Sequence, residues 1–278
     1  VANIGLSYPN RAIGATYSGG SWLAGLPAAN AGTRDLAQVA RSTNDDTAST
    51  VLQIDLGAAY PLRAFALVNH NLSSAATWEV DLGSSSGGTQ VLNGSAVDAW
   101  QLSAFDTTVA ALGVDDGAYQ RSDYAAILVL GQAYTARYIT IRIADTTNAD
   151  GYVQLGMVWA GGLFVPAVNP VYGALQHTHV DQSTLARTES GAVLSTARRR
   201  LRRASFTLPA LSESEADVVH EMQRVVGMAD DVLYVPDVAD AAKQQRLGFV
   251  GQMTEMRPLE YPHYAHIAKG FALTERGV

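Results

Sequence analysis

Apolar and β-branched residues recur in strand-length runs through the first 165 positions, separated by clusters of Gly, Ser, Asn and Asp. The clearest runs are residues 50–56, 62–69, 77–82, 126–130, 137–143 and 152–159. In the run 137–143, Tyr138, Thr140 and Arg142 alternate with Ile139, Ile141 and Ile143. This period of two predicts one buried face and one wet face. Turn signals bracket the runs at Gly57–Ala58, Gly83 to Gly88, Asn93–Gly94, Asp116–Gly117 and Asp150–Gly151. No helix-period segment stands out here, apart from a short turn at 103–112. Many short strands joined by polar turns predict a β-sandwich of the jelly-roll type.

The pattern changes at Gly161–Gly162 and the prolines 166 and 170, which punctuate an interdomain connection over 166–173. Beyond it, residues 175–188 and 192–208 predict a long antiparallel hairpin turning about 189–191. Ser212-Glu-Ser-Glu215 is a capping box, in which Ser caps free N–H groups and Glu reaches back to the cap. Val218, Val219, Met222, Val225 and Val226 follow at helical spacing, with Gly227 as the stop. Strands resume at 231–235, 247–256 and 263–274. The chain therefore reads as mainly β in two domains: a sandwich over 1–165 and a hairpin–helix–hairpin module over 174–278.

Composition narrows the function. The 278 residues are 47% apolar, enough for a large core, and their length fits two domains of ordinary size. Charged residues are only 16% and the net charge is −7, which argues against a general nucleic-acid binder. The charge is uneven: 7 basic against 13 acidic residues up to 165, a net −6, and 12 against 13 after it, a net −1. With no cysteine, disulfides, thiolate metal sites and cysteine nucleophiles are excluded. Residues 1–11 lack a basic start followed by an apolar run, so no secretory leader is expected in them. The most apolar stretch, 155–168, is 14 residues with three Gly and one Pro, short of the ~20 a spanning helix needs.

Several motifs suggest chemistry and each has a plainer reading. Gly83-Ser-Ser85-Ser-Gly87 matches the hydrolase pattern G-x-S-x-G, but that elbow needs a helix after it, and another hairpin signal follows. His177, His179 and Asp181 share one strand face, as metal ligands or as an exposed polar face. His263 and His266 fall on opposite faces, and His70 and His220 stand apart. The loop from Thr146 to Gly151 partly resembles an EF-hand but has Thr first and Met157 twelfth; a looser calcium site using Asp145 and Asp150 stays open. Trp22, Tyr17, Trp78, Trp100 and Trp159 read as core or as a sugar-stacking platform. Asn69, His70, Asn71 and Trp22 are the candidate glycan contacts at a jelly-roll rim. The sharpest feature is Arg198-Arg199-Arg200-Leu-Arg202-Arg203. Arginine without lysine favours bidentate pairing with carboxylates or phosphates, and the net acidity favours carboxylates, so these five residues are the candidate subunit interface. No catalytic set, metal site or cofactor is expected.

Two stretches carry a resemblance. Residues 50–57, Thr-Val-Leu-Gln-Ile-Asp-Leu-Gly, followed by 60–72, Tyr-Pro-Leu-Arg-Ala-Phe-Ala-Leu-Val-Asn-His-Asn-Leu, resemble the opening of a discoidin-type jelly roll. Ala136-Arg-Tyr-Ile-Thr-Ile-Arg-Ile143 resembles its late strand. In that family, loops at one end of the barrel bind glycans or lipids. With Asn148-x-x-Gly-Tyr-Val-Gln-Leu-Gly156 and Phe164-x-Pro-Ala-Val-Asn-Pro170, the version here is similar to tail-tip proteins of long-tailed bacteriophages. The second half is similar to the tail-tube-like module of phage distal-tail proteins, a β-sandwich with a long hairpin and one helix that closes into rings around the DNA channel. In those proteins the ring module comes first; here the order is reversed.

The resemblance implies a non-enzymatic structural virion component of a phage tail tip or baseplate, assembled in the bacterial cytoplasm. Its expected partners are copies of itself in a ring (a hexamer or a trimer), other tail proteins (tube, tape measure and hub) and a host glycan. No membrane and no sequence-specific nucleic acid are expected among them. The alternative is a carbohydrate-binding module or adhesin that recognises host glycans. A carbohydrate-binding module would bind glycans as a monomer, a tail-fibre adhesin would be a more repetitive trimer, and an esterase would need a triad.

Overall fold

A computed structural model describes residues 2–101, 124–171, 173–187, 193–263 and 266–277. The turn expected at 103–112, the Asp116–Gly117 signal and the hairpin tip at 189–191 lie outside the described residues. The protein is mainly β and divides into two compact units. Unit 1 takes the chain up to Val165 together with Val235–Gly248; unit 2 takes Pro166–Tyr234 and Phe249–Gly277. The excursion 235–248 is a departure from the sequence pattern, which put everything after 174 in one domain.

Unit 1 contains the short strands β1 (Gly5–Ser7), β2 (Thr16–Ser18) and β3 (Ala40–Arg41). Two long ones follow, β4 (Leu52–His70) and β7 (Ala126–Ala144), with β5 (Thr77–Gly83), β6 (Val97–Asp98) and β8 (Gln154–Gly161). The sheet order is β3-β8-β4-β7-β5-β6, with β2 also on β4. The pattern predicted four separate strands where β4 and β7 run unbroken. The reason is a pair of compensating bulges. Between Asp55 and Tyr60 the extra residues lie on β4, and between Leu62 and Ala64 the extra ones lie on β7, restoring the original register. Gly57 is thus part of a bulge within a strand, where the pattern predicted a turn between strands.

The core of unit 1 takes alternate residues of β4, β5 and β7, Leu52, Ile54, Phe65, Leu67, Trp78, Val80, Ile139, Ile141 and Ile143 among them, together with Leu155 and Val158 of β8, which is buried on both faces. The three isoleucines of β7 are buried as period two requires. Thr140, expected on the wet face, is buried too, because β7 is an inner strand and places it between Gln53 and Asp81. The excursion 235–248 adds to unit 1. Gln245 is buried there; its side-chain N–H donates to the Ala99 carbonyl at 2.9 Å and its carbonyl accepts from the Gln101 N–H at 2.5 Å.

Unit 2 begins with β9 (Gln176–Asp181), β10 (Thr184–Arg187), β11 (Val193–Thr196) and β12 (Arg200–Leu211). Helix α1 (Glu213–Val226) and β13 (Asp231–Val235) come next. After the short helix α2 (Ala241–Leu247), which lies in the excursion, β14 (Phe249–Met253), β15 (Leu259–His263) and β16 (His266–Glu275) complete the unit. Its sheet runs β13-β14-β16-β12-β9, with β15 also on β16. Phe206 lies opposite Phe271, and the two stack with centroids 5.2 Å apart; Tyr234 stacks on Phe206 and Phe249 leans on Tyr234. The capping box forms as written: the Glu215 N–H donates to Ser212 Oγ and the Ser212 N–H to Glu215 Oε2. Gly227 ends the helix at φ +55°, a conformation that favours glycine. The helix buries Ala216, Val219, Met222 and Val226, while Val218 and Val225 are exposed. Among the described residues no helix is long and apolar enough to cross a membrane.

Candidate functional site

Two places concentrate polar and aromatic side chains, one in each unit. In unit 1 it is the end where β4 and β8 meet the 145–153 turn. Asp145 is buried and accepts hydrogen bonds from the Ser73 N–H at 2.8 Å, from Asn148 Nδ2 at 2.8 Å and from the Ser73 hydroxyl. Asn148 Nδ2 also reaches the Asn71 carbonyl at 3.1 Å. These donors use the oxygens that the looser calcium reading needed, and among the described residues no three His, Cys, Asp or Glu are grouped to hold a metal. The network locks a turn.

That turn carries the surface groups. Asn71 Nδ2 donates to Asp150 Oδ2 at 2.8 Å and to the Tyr152 carbonyl at 3.0 Å, while Asn71 Oδ1 accepts from the Gln154 N–H at 2.7 Å. Next to them, Arg41 lies over the Tyr152 ring with its guanidinium carbon 4.2 Å from the centroid, and grips Gln154 Oε1 at 2.6 and 3.1 Å. A planar cation on an aromatic face beside amide and carboxylate groups can take a hydroxyl-rich or anionic ligand. Sequence reading named Asn71 here but missed Arg41, Tyr152 and Gln154. Tyr152 directly follows the Asp150–Gly151 turn, but Arg41 comes from a two-residue strand with no periodic signature.

The other rim candidates are placed differently. Asn69 sits at φ +54° beneath the surface, with Nδ2 donating to the Leu36 carbonyl at 2.8 Å. Gly156 faces it, and a Cβ there would lie 2.8 Å from the Asn69 Cβ, so glycine permits the approach. His70 is buried, accepts at Nδ1 from the Leu72 N–H at 3.3 Å, and meets Trp100 edge-on. Neither stands at a rim, so both are scaffold residues. Trp22 is half-buried, with its indole N–H on the Val51 carbonyl at 3.2 Å. Trp78, Trp100 and Trp159 are core, and Tyr17 is half-buried with its hydroxyl on the Ala12 carbonyl. Ser85 lies in an exposed turn whose chain returns as a hairpin through the Leu82–Leu92 bridge, so the helix a nucleophile elbow requires does not follow it.

In unit 2 the long hairpin is two ladders. The inner one pairs Asp181 with Arg200, and the outer one begins at Thr184 opposite Thr196. Residues 197–199 therefore oppose only 182 and 183, a one-residue bulge that separates the outer arm from the sheet as a ladder of its own. At the bulge the Ser183 N–H donates to Asp181 Oδ1 at 2.8 Å and the Arg198 N–H to Ser183 Oγ at 3.0 Å. Ser183 first, and then Arg200 at 3.4 Å, hold the Asp181 carboxyl below the usual range. Every described residue of the arm is exposed, including Leu185 (74%), Val193 (56%) and Leu194 (61%).

The arginine run sits at the root of this arm, and its partners come from its own chain. Arg202 is buried and grips Glu275 three ways: N–H to Oε2 at 2.9 Å, Nε to Oε2 at 3.1 Å and Nη2 to Oε1 at 2.5 Å. Arg199 reaches the same carboxylate at 3.4 Å and Arg200 reaches Asp181. These three therefore have carboxylate partners within their own chain, where the sequence pattern led to an expectation that a neighbouring copy supplies carboxylates to part of the run. Residue 275 lay outside any motif, and only the β12–β16 register places it beside Arg202. Arg198 is exposed and Arg203 half-buried. His177 Nε2 meets the Tyr234 hydroxyl at 3.0 Å, and Asp181 is taken by the bulge, so the His177, His179, Asp181 face is divided among separate tasks.

No family model and no curated protein matches the chain. Solved structures similar to part of it include the lectin-binding domain of lectinolysin complexed with Lewis b, at 20% identity and TM-score 0.38, covering 55% of this chain and 96% of that one. A second is chitosan-binding module 1 of a chitosanase/glucanase from Paenibacillus sp. IK-5, at 16% identity and TM-score 0.39, covering 56% and 100%. A third is a family 89 glycoside hydrolase from Clostridium perfringens in complex with PUGNAc, at 16% identity and TM-score 0.39, covering 56% and 15%.

Proposed function

We propose that this chain is a structural subunit of a larger assembly, of the phage tail-tip kind that its sequence resembles, in which unit 2 joins copies. The observation behind this reading is the β10–β11 arm. A two-stranded hairpin is marginal by itself in water, and this one exposes Leu185, Val193 and Leu194. Among the described residues, every large exposed apolar side chain except Leu23 belongs to unit 2. Exposed apolar surface concentrated in one unit marks a place where another protein docks. Light scattering of the purified protein across a concentration series tests it. Association that is lost in Leu185→Ser/Leu194→Ser, with an unchanged circular dichroism spectrum, supports the reading; a monomer at every concentration overturns it.

A second reading is glycan recognition by unit 1, favoured by Arg41 lying on Tyr152 beside Asn71 and Asp150. Glycan-array binding that disappears in Arg41→Ala and Tyr152→Ala would support it, and an array with no bound sugar would count against it.

A further inference from the structure

We propose that the arm of one copy docks across the outer face of helix α1 of a second copy, with Arg187 set against Asp217. This rests on the assembly reading above and names the surface that receives the arm. Register puts Arg187 opposite Val193 and Leu185 opposite Ser195, so Leu185, Arg187 and Val193 share one face of the arm. That face carries two apolar side chains, one cation and Ser195. On the helix, Ser214, Asp217, Glu221 and Val225 are spaced by three and four residues and share one exposed face. Val225 is 42% exposed and Met228, just past the helix end, is 53% exposed. This second face is apolar towards one end and acidic towards the other. Arg224 already holds Glu221, at 2.5 and 2.8 Å, which leaves the exposed Asp217, with Glu213 one turn before it, as the acids that an incoming guanidinium would meet.

Size and charge agree. Four strand residues span about 13 Å, and the helix from Ser214 to Val225 spans about 16 Å. Two arms packed on each other would instead bring Arg187 of each copy together, and strands β10 and β11 carry no acid to offset it, while Asp181 at the root is already engaged by Ser183 and Arg200. Each copy carries one arm and one helix face, so the contact is head-to-tail, and such a contact either closes into a ring or extends into a fibre.

The test is a charge swap read by sedimentation velocity on the full chain. Arg187→Asp and Asp217→Arg alone should each weaken association about tenfold or more, and the two together should recover to within about threefold of the unsubstituted protein. Because the chain has no cysteine, Leu185→Cys combined with Val225→Cys should give disulfide-linked dimers and higher species under mild oxidation. If Leu185→Ser/Leu194→Ser abolishes association but the charge swap shows no recovery and the cysteine pair stays unlinked, the arm binds elsewhere; the arm–helix contact is then wrong while assembly stands. If the unsubstituted chain never associates, both fall together.

Discussion

Arg137 meets Asp55 fork to fork, Nε to Oδ1 at 2.7 Å and Nη2 to Oδ2 at 2.8 Å, and the same carboxylate accepts the Gly57 N–H at 2.8 Å. One side chain thereby ties β7 to the start of the β4 bulge. Arg63 does the converse at the second bulge, donating to the carbonyls of Leu130 and Gly131. The sheet of unit 1 carries two insertions, and each is held by an arginine from the opposite strand.

The Asp55 clamp sets an acid response. The Arg137 bond first, and the Gly57 N–H next, hold its carboxyl down to about 2, below its ordinary 3.8. A depressed carboxylate contributes stability that is present above the unfolded value and lost as pH falls through the folded one. Thermal melts of the intact protein should therefore show a loss between about pH 4 and 2, and Asp55→Asn should flatten that part of the profile. A mutant profile that parallels the original would remove Asp55 as its source.

The Arg202–Glu275 pair is buried, so its two halves are unequal tests. Glu275→Ala takes the carboxylate from a guanidinium held largely out of water and should cost about 3–5 kcal/mol, whereas replacing both partners with apolar residues of similar volume should cost much less. Urea unfolding of the single and double variants measures the difference. Equal losses would mean that the pair is not desolvated as its burial indicates.

Lys269 lies on β16 with its ammonium donating to the Arg257 carbonyl, 6.0 Å from the Phe271 ring. Burial pushes its pKa down to about 8 from 10.5. The folded state then binds fewer protons than the unfolded one between those values, so stability should rise with pH across that window. Lys269→Met should remove the slope and raise stability at pH 7. Denaturant midpoints at pH 7.5, 9 and 10 decide it; a midpoint that is flat or falls across this range counts against the assignment.

Gln245 joins the excursion 235–248 to the backbone of residues 99 and 101. Gln245→Ala leaves a buried carbonyl and N–H unpaired and should cost about 1–3 kcal/mol. Hydrogen exchange at the Gln101 N–H should accelerate in the same variant. A fragment ending at Val165 lacks the excursion altogether and should melt below unit 1 in the intact chain; equal melting would show that 235–248 adds nothing to it.

Much of this molecule is local and therefore legible in the residues. Alternation in β7 buries Ile139, Ile141 and Ile143, because side chains on a strand must point to opposite faces. The capping box at Ser212 and the stop at Gly227 depend on a few neighbouring residues, and they form where they are written. What the sequence could not decide is non-local pairing. Gly57 looks like a turn, and only the opposing three-residue slip in β7 makes it a bulge in one long strand. The arginine run looks like five unsatisfied cations, because Glu275 is more than seventy residues away until β12 and β16 pair. Asn69 and His70 look like rim groups, but the close approach of Gly156 and the packing of Trp100 draw them inward. Arg41 and Tyr152 carry no shared motif and meet only because β3 pairs with β8. Period and capping follow from backbone geometry over a few residues, whereas partner choice depends on which strands the whole chain brings together.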